Sequence, residues 1–175
     1  DAIIYIHSKN IIHRDIKPQN LFYGVDGSVK LSDFGISVIK GSLMNVNENN
    51  KVIGTAQYLA PEIFRGGKPS FQSDIFSLGI LFFEIVTGRV PFDAKTPGEV
   101  GVLMLENDVP SPKKFMPSIP KEIEEIILKS TSKDLNIRYK DAKEMRKDIE
   151  KVYNNKKLIN KGHSLFARIF GLSRD

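Results

Sequence analysis

Cysteine is absent from these 175 residues, which excludes disulfides and thiolate metal sites. Only three histidines are present, His7, His13 and the distant His163, which argues against a zinc cluster. No apolar run approaches the roughly 18 residues that crossing a bilayer requires, so no transmembrane helix is expected within these limits. Internal repeats and low-complexity blocks are lacking as well, apart from an Asn-rich stretch at 45–50 that reads as a loop. The first residue is Asp1 rather than Met, and the opening segment has no signal-peptide pattern. A chain cut from something longer is therefore expected.

What is present is the composition of a globular domain. Hydrophobic residues make up 41% and charged residues 27%, and a chain of this size can bury about 70% of its unfolded surface around one core. The formal charge of +5 does not mark a nucleic-acid binder, because of where it sits. Basic and acidic residues cancel over 1–150, at 20 each. Lys151, Lys156, Lys157, Lys161, Arg168 and Arg174 against Asp175 supply the whole excess, so it belongs to the tail.

Local patterns predict a mainly helical α+β fold. Ile3, Ile4 and Ile6 suit the end of a buried helix over 1–9. Two short strands are expected at 20–23 and 29–32, joined through Val25-Asp26-Gly27-Ser28, where Asp-Gly signals a hairpin because both residues tolerate positive φ. A long polar stretch then runs to about residue 59. Ser73 is placed to cap a helix ending at Gly88. That helix is apolar around nearly its whole circumference and should lie in the middle of the fold. Further helices are expected at 97–106, despite Gly98 and Gly101, at 120–130 and at 141–153. Pro110, Pro112, Pro117 and Pro120 break the chain between the first two of these.

The chemistry is carried by short motifs. A lone Asp in a loop is usually a cap or a solvated charge, but Asp15 stands within His13-Arg14-Asp15-x-Lys17-x-x-Asn20. At roughly one in twenty per letter, chance gives those five letters about once in three million starts. Asp33-Phe34-Gly35 follows the second expected strand, then Gly54-Thr55-x-x-Tyr58-x-Ala60-Pro61-Glu62, then Ser73-Asp74-x-x-Ser77-Leu78-Gly79. Four motifs in this order resemble the protein kinases over residues 1 to about 153. The run Val52 to Glu62 is most similar to bacterial eukaryotic-type serine/threonine kinases.

The resemblance implies a kinase C-terminal lobe over 1–153, with the hairpin at the catalytic site, and a basic amphipathic tail at 154–175. It implies ATP and Mg2+ as cofactors and protein substrates with Ser/Thr acceptors. Asp15 would orient the acceptor hydroxyl and take its proton, while Lys17 would contact the γ-phosphate. Asn20 and Asp33 would offer oxygen to Mg2+, a hard ion. Lys17 follows the serine/threonine pattern, and Thr55 matches a substrate-site threonine that touches both Asp15 and Lys17. Glu62 would pair with Arg138, and Asp74 would accept backbone N–H groups of the catalytic loop. Both are support rather than chemistry, as is His13, a core histidine. Phe76 stands where the family often has Trp and keeps a large ring there.

Two departures matter. Arg14 before the catalytic Asp implies activation by loop phosphorylation, since a guanidinium can clamp a phosphate. Yet Asn47, Glu48 and Asn49 stand where the bacterial relatives carry Thr, and only Ser37 and Ser42 offer hydroxyls between Gly35 and Gly54. Loop phosphorylation is therefore expected to be reduced or replaced, with Glu48 partly imitating a phosphate. The sequence also lacks the glycine-rich loop and the strand Lys with its partner Glu of the N-terminal lobe, so that lobe is an expected partner. The chain alone should be inactive and should expose an apolar cleft surface. A non-catalytic pseudokinase or docking module is the competing reading, which intact Asp15, Lys17, Asn20 and Asp33 disfavour. The tail either lies on an anionic membrane surface or is solvated or folded back. The expected location is the cytosol or the cytosolic face of a membrane.

Overall fold

The structure, a computed structural model, describes residues 1–33 and 56–154. Its elements are α1 (Ala2–Ser8), a 3-10 turn (Pro18–Asn20), β1 (Leu21–Tyr23), β2 (Val29–Leu31), α2 (Pro61–Phe64), α3 (Phe71–Thr87), α4 (Pro97–Glu106), a second 3-10 turn (Pro112–Lys114), α5 (Lys121–Ser130) and α6 (Ala142–Asn154). The described part is thus helix-rich with a two-stranded antiparallel sheet. Thr55, the loop residues Ser37, Ser42 and Asn47 to Asn49, and the tail from 155 lie outside the described residues.

Helix α3 forms the axis of the fold. Ile75, Ile80 and Phe83 are wholly buried, and the buried set runs from Ser73 to Phe83. Its end falls at Gly88, in the left-handed region at φ 75°, where glycine has no Cβ to strain. Its start differs from the expectation. Ser70, not Ser73, is the N-cap: Ser70 Oγ accepts from Ser73 N–H at 3.2 Å, and Ser73 Oγ accepts from Ser70 N–H at 3.0 Å. Two serines three apart satisfy each other's orphan donors, and this reciprocal box moves the helix start back by one turn.

Helix α5 docks on α3, α6 packs on α5 and α1, and α4 packs on α2. From α5 come Ile123, Ile126 and Ile127, and the side chains of Ser130 and the following Thr131 pack directly against Gly79. A Cβ there would press on Ser130 Oγ and lie 2.7 Å from Thr131 Cγ2. Helix α6 adds Ala142, Met145 and Val152, and α1 adds Ile3 and Ile6. Helix α4 persists through both of its glycines because Thr96 and Glu99 build a second capping box, and because Gly101 makes room for the Phe64 ring of α2. No described helix is long and apolar enough to cross a membrane.

Strands β1 and β2 pair Leu21 with Leu31, Phe22 with Lys30 and Tyr23 with Val29. The turn is not the one expected from Asp-Gly. Only Gly27 takes positive φ, at 77°. Gly27 N–H bonds Gly24 O at 3.0 Å and Gly24 N–H bonds Ser28 O at 2.8 Å, which closes a three-residue loop ending on the left-handed glycine. Asp26 instead accepts from Ser28 N–H at 3.0 Å and from its hydroxyl at 2.6 Å.

Replacing Gly79 with Ala should destabilise the protein by about 1–3 kcal/mol, because neither helix can retreat without opening the core. Gly98→Ala, where nothing lies within 4 Å, should instead be neutral or stabilising by up to about 1 kcal/mol. Urea unfolding midpoints of the two variants check both signs.

Candidate active site

Asp74, in the first turn of α3, is fully buried, and its carboxylate organises the loop from His13 to Asn20. Oδ2 accepts from His13 N–H at 2.7 Å and Oδ1 from Arg14 N–H at 2.9 Å. A third bond joins Oδ2 to His7 Nε2 of α1, also at 2.9 Å. These bonds hold Arg14 in the left-handed region at φ 72°. That conformation costs about 1–2 kcal/mol in a residue with a Cβ. Each hydrogen bond to a charged acceptor returns about 1.5–3 kcal/mol, so the strained turn persists. The Arg14 side chain itself is exposed.

The turn delivers Asp15. Its Oδ2 is engaged by Lys17 Nζ at 2.9 Å and by Asn20 Nδ2 at 3.0 Å. Asn20 Nδ2 also donates to the Asp15 carbonyl at 2.7 Å, so one side chain closes the loop on itself. Asp15 Oδ1 is buried and has no hydrogen-bond partner among the described residues. His13, wholly buried, accepts from Asp15 N–H through Nδ1 at 3.3 Å. Its Nε2 therefore carries the proton and donates to Ser32 O at 3.2 Å, bridging the loop to the end of β2.

The hairpin brings the remaining oxygen donors to the same place. Ser32 N–H donates to Asn20 O at 2.9 Å, which ties the start of β1 to the end of β2. Asp33 follows at once, exposed and left-handed at φ 54°. The Asn20 amide nitrogen is spent on Asp15, leaving its carbonyl oxygen for a cation. No group of three or more His, Asp or Glu able to hold a metal exists among the described residues. One amide oxygen and one carboxylate make a poor cage for a metal alone, but they suit Mg2+ that completes its shell with phosphate oxygens and water. Beside this group, Phe22 and Tyr23 of β1 are 54% and 69% exposed, an aromatic surface on both faces of the strand.

A second buried charge holds the segment leading into α2. Arg138 is 1% exposed and grips Glu62 with both ends of its guanidinium, at 2.7 and 3.1 Å. Its remaining donors reach Gln72 O at 2.9 Å and Ser132 O at 2.8 Å, and its plane lies 4.9 Å from the Phe76 ring. Nearby, Tyr58 donates to Glu84 at 2.6 Å, and its carbonyl accepts from Ser77 Oγ at 2.8 Å. Burial, and then the Glu84 carboxylate, push the Tyr58 phenol well above its usual range, so it stays a donor.

Asp15, Lys17, Asn20 and Asp33 thus stand around one end of the hairpin, with Arg14 and Asp74 beneath them, while Glu62 and Arg138 form a separate clamp. Sequence reasoning did not single out His7 or the Tyr58–Glu84 pair. Glu84 carried a readable signal, being the single charge in an otherwise uncharged run from Ile75 to Gly88. His7 carried none, because its partner is 67 residues away.

Comparison with known proteins gives a consistent answer. The model of the protein kinase domain matches residues 1–152. The serine/threonine-protein kinase PrkC of Bacillus subtilis is 41% identical over 160 residues, covering 91% of this chain and 24% of PrkC. The probable serine/threonine-protein kinase PknB of Lactococcus lactis is 38% identical, over 85% of this chain and 23% of its own length. The serine/threonine-protein kinase PknB of Mycobacterium tuberculosis is 37% identical, over 87% and 25%. The chain therefore spans about a quarter of the length of these relatives.

The clamp makes a quantitative prediction. Glu62→Ala strands a fully buried guanidinium and should cost about 3–5 kcal/mol in denaturant unfolding. Lys121→Ala, which removes an exposed i,i+4 pair with Glu125, should cost under about 0.5 kcal/mol.

Proposed function

This chain belongs to the protein kinase family, and from that premise we propose that it forms the catalytic and substrate-binding lobe for ATP-dependent phosphorylation of serine and threonine hydroxyls on proteins. The observation that carries the reading is the asymmetry of Asp15. One carboxylate oxygen is taken by Lys17 and Asn20, while Oδ1 is buried and unpartnered among the described residues. A hydroxyl donating to Oδ1 would be aligned by a group that cannot rotate away, and its proton would pass to that oxygen as the acceptor oxygen bonds to phosphorus. Lys17, fixed on the same carboxylate, is a compact cation at the edge of the site, suited to the charge that gathers on the transferred phosphate. ATP would supply the phosphoryl group, leaving as ADP, and Mg2+ held by Asn20 and Asp33 would neutralise charge on the phosphates.

Several features support the finer parts of the proposal. Lys17 follows the serine/threonine pattern, and the relatives are named for that specificity. The Glu62–Arg138 clamp stiffens the segment around Ala60 and Pro61, a shelf for an extended peptide. The exposed Phe22 and Tyr23 are what the lower wall of a nucleotide cleft presents when another lobe closes over it. A reaction that draws on ATP fits the cytosol or the cytosolic face of a membrane, which is the location we propose.

In the full-length protein, Asp15→Asn should lower kcat for peptide phosphorylation by about 10^2–10^4 while leaving ATP affinity within a few-fold. Turnover close to that of the unaltered protein would overturn the assignment of the base. The 175-residue polypeptide alone should transfer no measurable phosphate from ATP to protein, and robust transfer would show that the second wall is dispensable.

A further inference from the structure

We infer that Asp93 is a specificity-determining residue, one that favours protein substrates carrying a lysine or arginine close to the acceptor hydroxyl. The inference rests on the reading of residues 56–61 as part of the shelf for the substrate peptide. Burial alternates along that shelf: Ala56, Tyr58 and Ala60 are buried, whereas Gln57 and Leu59 are only partly so. A peptide laid on it therefore meets Gln57 and Leu59. Gln57 reaches on to the turn between α3 and α4, where its Nε2 donates to Asp93 Oδ1 at 2.8 Å. Asp93 is exposed and 36 residues away in sequence. The bond holds its carboxylate beside the shelf instead of leaving it to swing in solvent.

The charge on Asp93 has no counter-ion among the described residues. Its hydrogen bond there comes from a neutral amide, which orients the carboxylate and leaves its charge intact. Arg89, on the same turn, is drawn away, with its guanidinium 5.2 Å from the Phe115 ring. Other carboxylates are matched: Glu124 by Lys113, Glu144 by Lys129 and Asp148 by Lys151. The Tyr58 phenol that bonds Glu84 is neutral too, so no cation offsets the negative field along this stretch of the shelf. Asp93 Oδ2 accepts no hydrogen bond among the described residues, and an ammonium or guanidinium is the donor that would complete it. A bound peptide would also screen that cation from water, which strengthens the pair beyond an ordinary surface contact. The amide–carboxylate bond itself is exposed and adds little to stability, so the fold has small need of it.

The test uses the full-length protein and one acceptor peptide with alanines around the acceptor. A single Lys is walked through about five positions on either side. At one or two of them Lys should raise kcat/KM about five-fold over Ala, chiefly through KM, and the gain should shrink as salt is raised. Asp93→Asn keeps an acceptor for Gln57 but removes the charge, and the ratio of Lys to Ala should fall to within two-fold of unity. Asp93→Lys should invert the preference and favour Glu over Lys at the same position. A Lys preference unchanged by both substitutions overturns the inference, as does an unaltered enzyme that is indifferent to Lys at every position. Either result leaves the kinase reading standing, because phosphate is still transferred. A full-length protein that transfers phosphate to no peptide or protein defeats that reading itself, and the role of Asp93 with it.

Discussion

The carboxylate of Asp74 is the constraint on which the site depends. An anion with no solvent exposure would cost several kcal/mol if left uncompensated. Three donors converge on it, and its place in the first turn of α3 adds the favourable end of the helix dipole. Each compensation also does something structural. The backbone donors shape the catalytic loop, the imidazole fastens α1, and the helix that carries the charge is the centre of the core. Because Ser70 and Ser73 set where α3 begins, a polar cap at the helix start determines which residue faces the loop. Core and site are one construction.

Arg138 repeats the logic on the other side of α3. Its guanidinium is wholly buried and uses its donors on Glu62, Gln72 O and Ser132 O, so the desolvated charge is matched on several sides. Surface pairs such as Lys121–Glu125 and Arg146–Glu150 have similar distances but leave both partners in water, where screening and side-chain entropy absorb most of the gain. Burial, rather than proximity, separates the pairs that determine this fold from those that decorate it. The two buried charges also divide the labour. Asp74 sets the loop that carries Asp15, and Arg138 sets the segment that follows Tyr58.

Much of this was legible in the sequence, for identifiable reasons. The strands at 20–23 and 29–32 differ from the observed Leu21–Tyr23 and Val29–Leu31 by one residue at an end, because turn chemistry brackets them tightly. The end of α3 was readable from Gly88, whose left-handed backbone has a simple steric basis. Its beginning was misplaced because Ser70 and Ser73 are both good caps, and only their reciprocal bonding decides between them. The four-residue α2 was invisible, since a single turn has no period to detect. The Asp-Gly turn was correct in place but wrong in kind, because a left-handed glycine in the last position of a three-residue loop closes the hairpin equally well. The motif letters marked Asp15, Lys17, Asn20 and Asp33, but their geometry comes from contacts with Asp74 and Ser32 that no local pattern encodes.

The one buried oxygen of Asp15 without a partner gains its meaning from this background. Leaving a buried polar atom unsatisfied costs about 1–3 kcal/mol, and folded proteins keep few of them. The neighbouring buried groups are engaged: Asn20, His13 and Asp74 all have their bonds, and so does the second oxygen of Asp15 itself. The other unsatisfied buried side-chain atom among the described residues, Nδ1 of His7, belongs to the same chain of contacts, on the far side of Asp74. A network that satisfies everything around Asp15 Oδ1 while leaving that atom bare is not loosely packed. Among the described residues it leaves that carboxylate oxygen open where, on the function proposed, a hydroxyl would be bound and deprotonated, and it holds the groups beside it in bonds of their own.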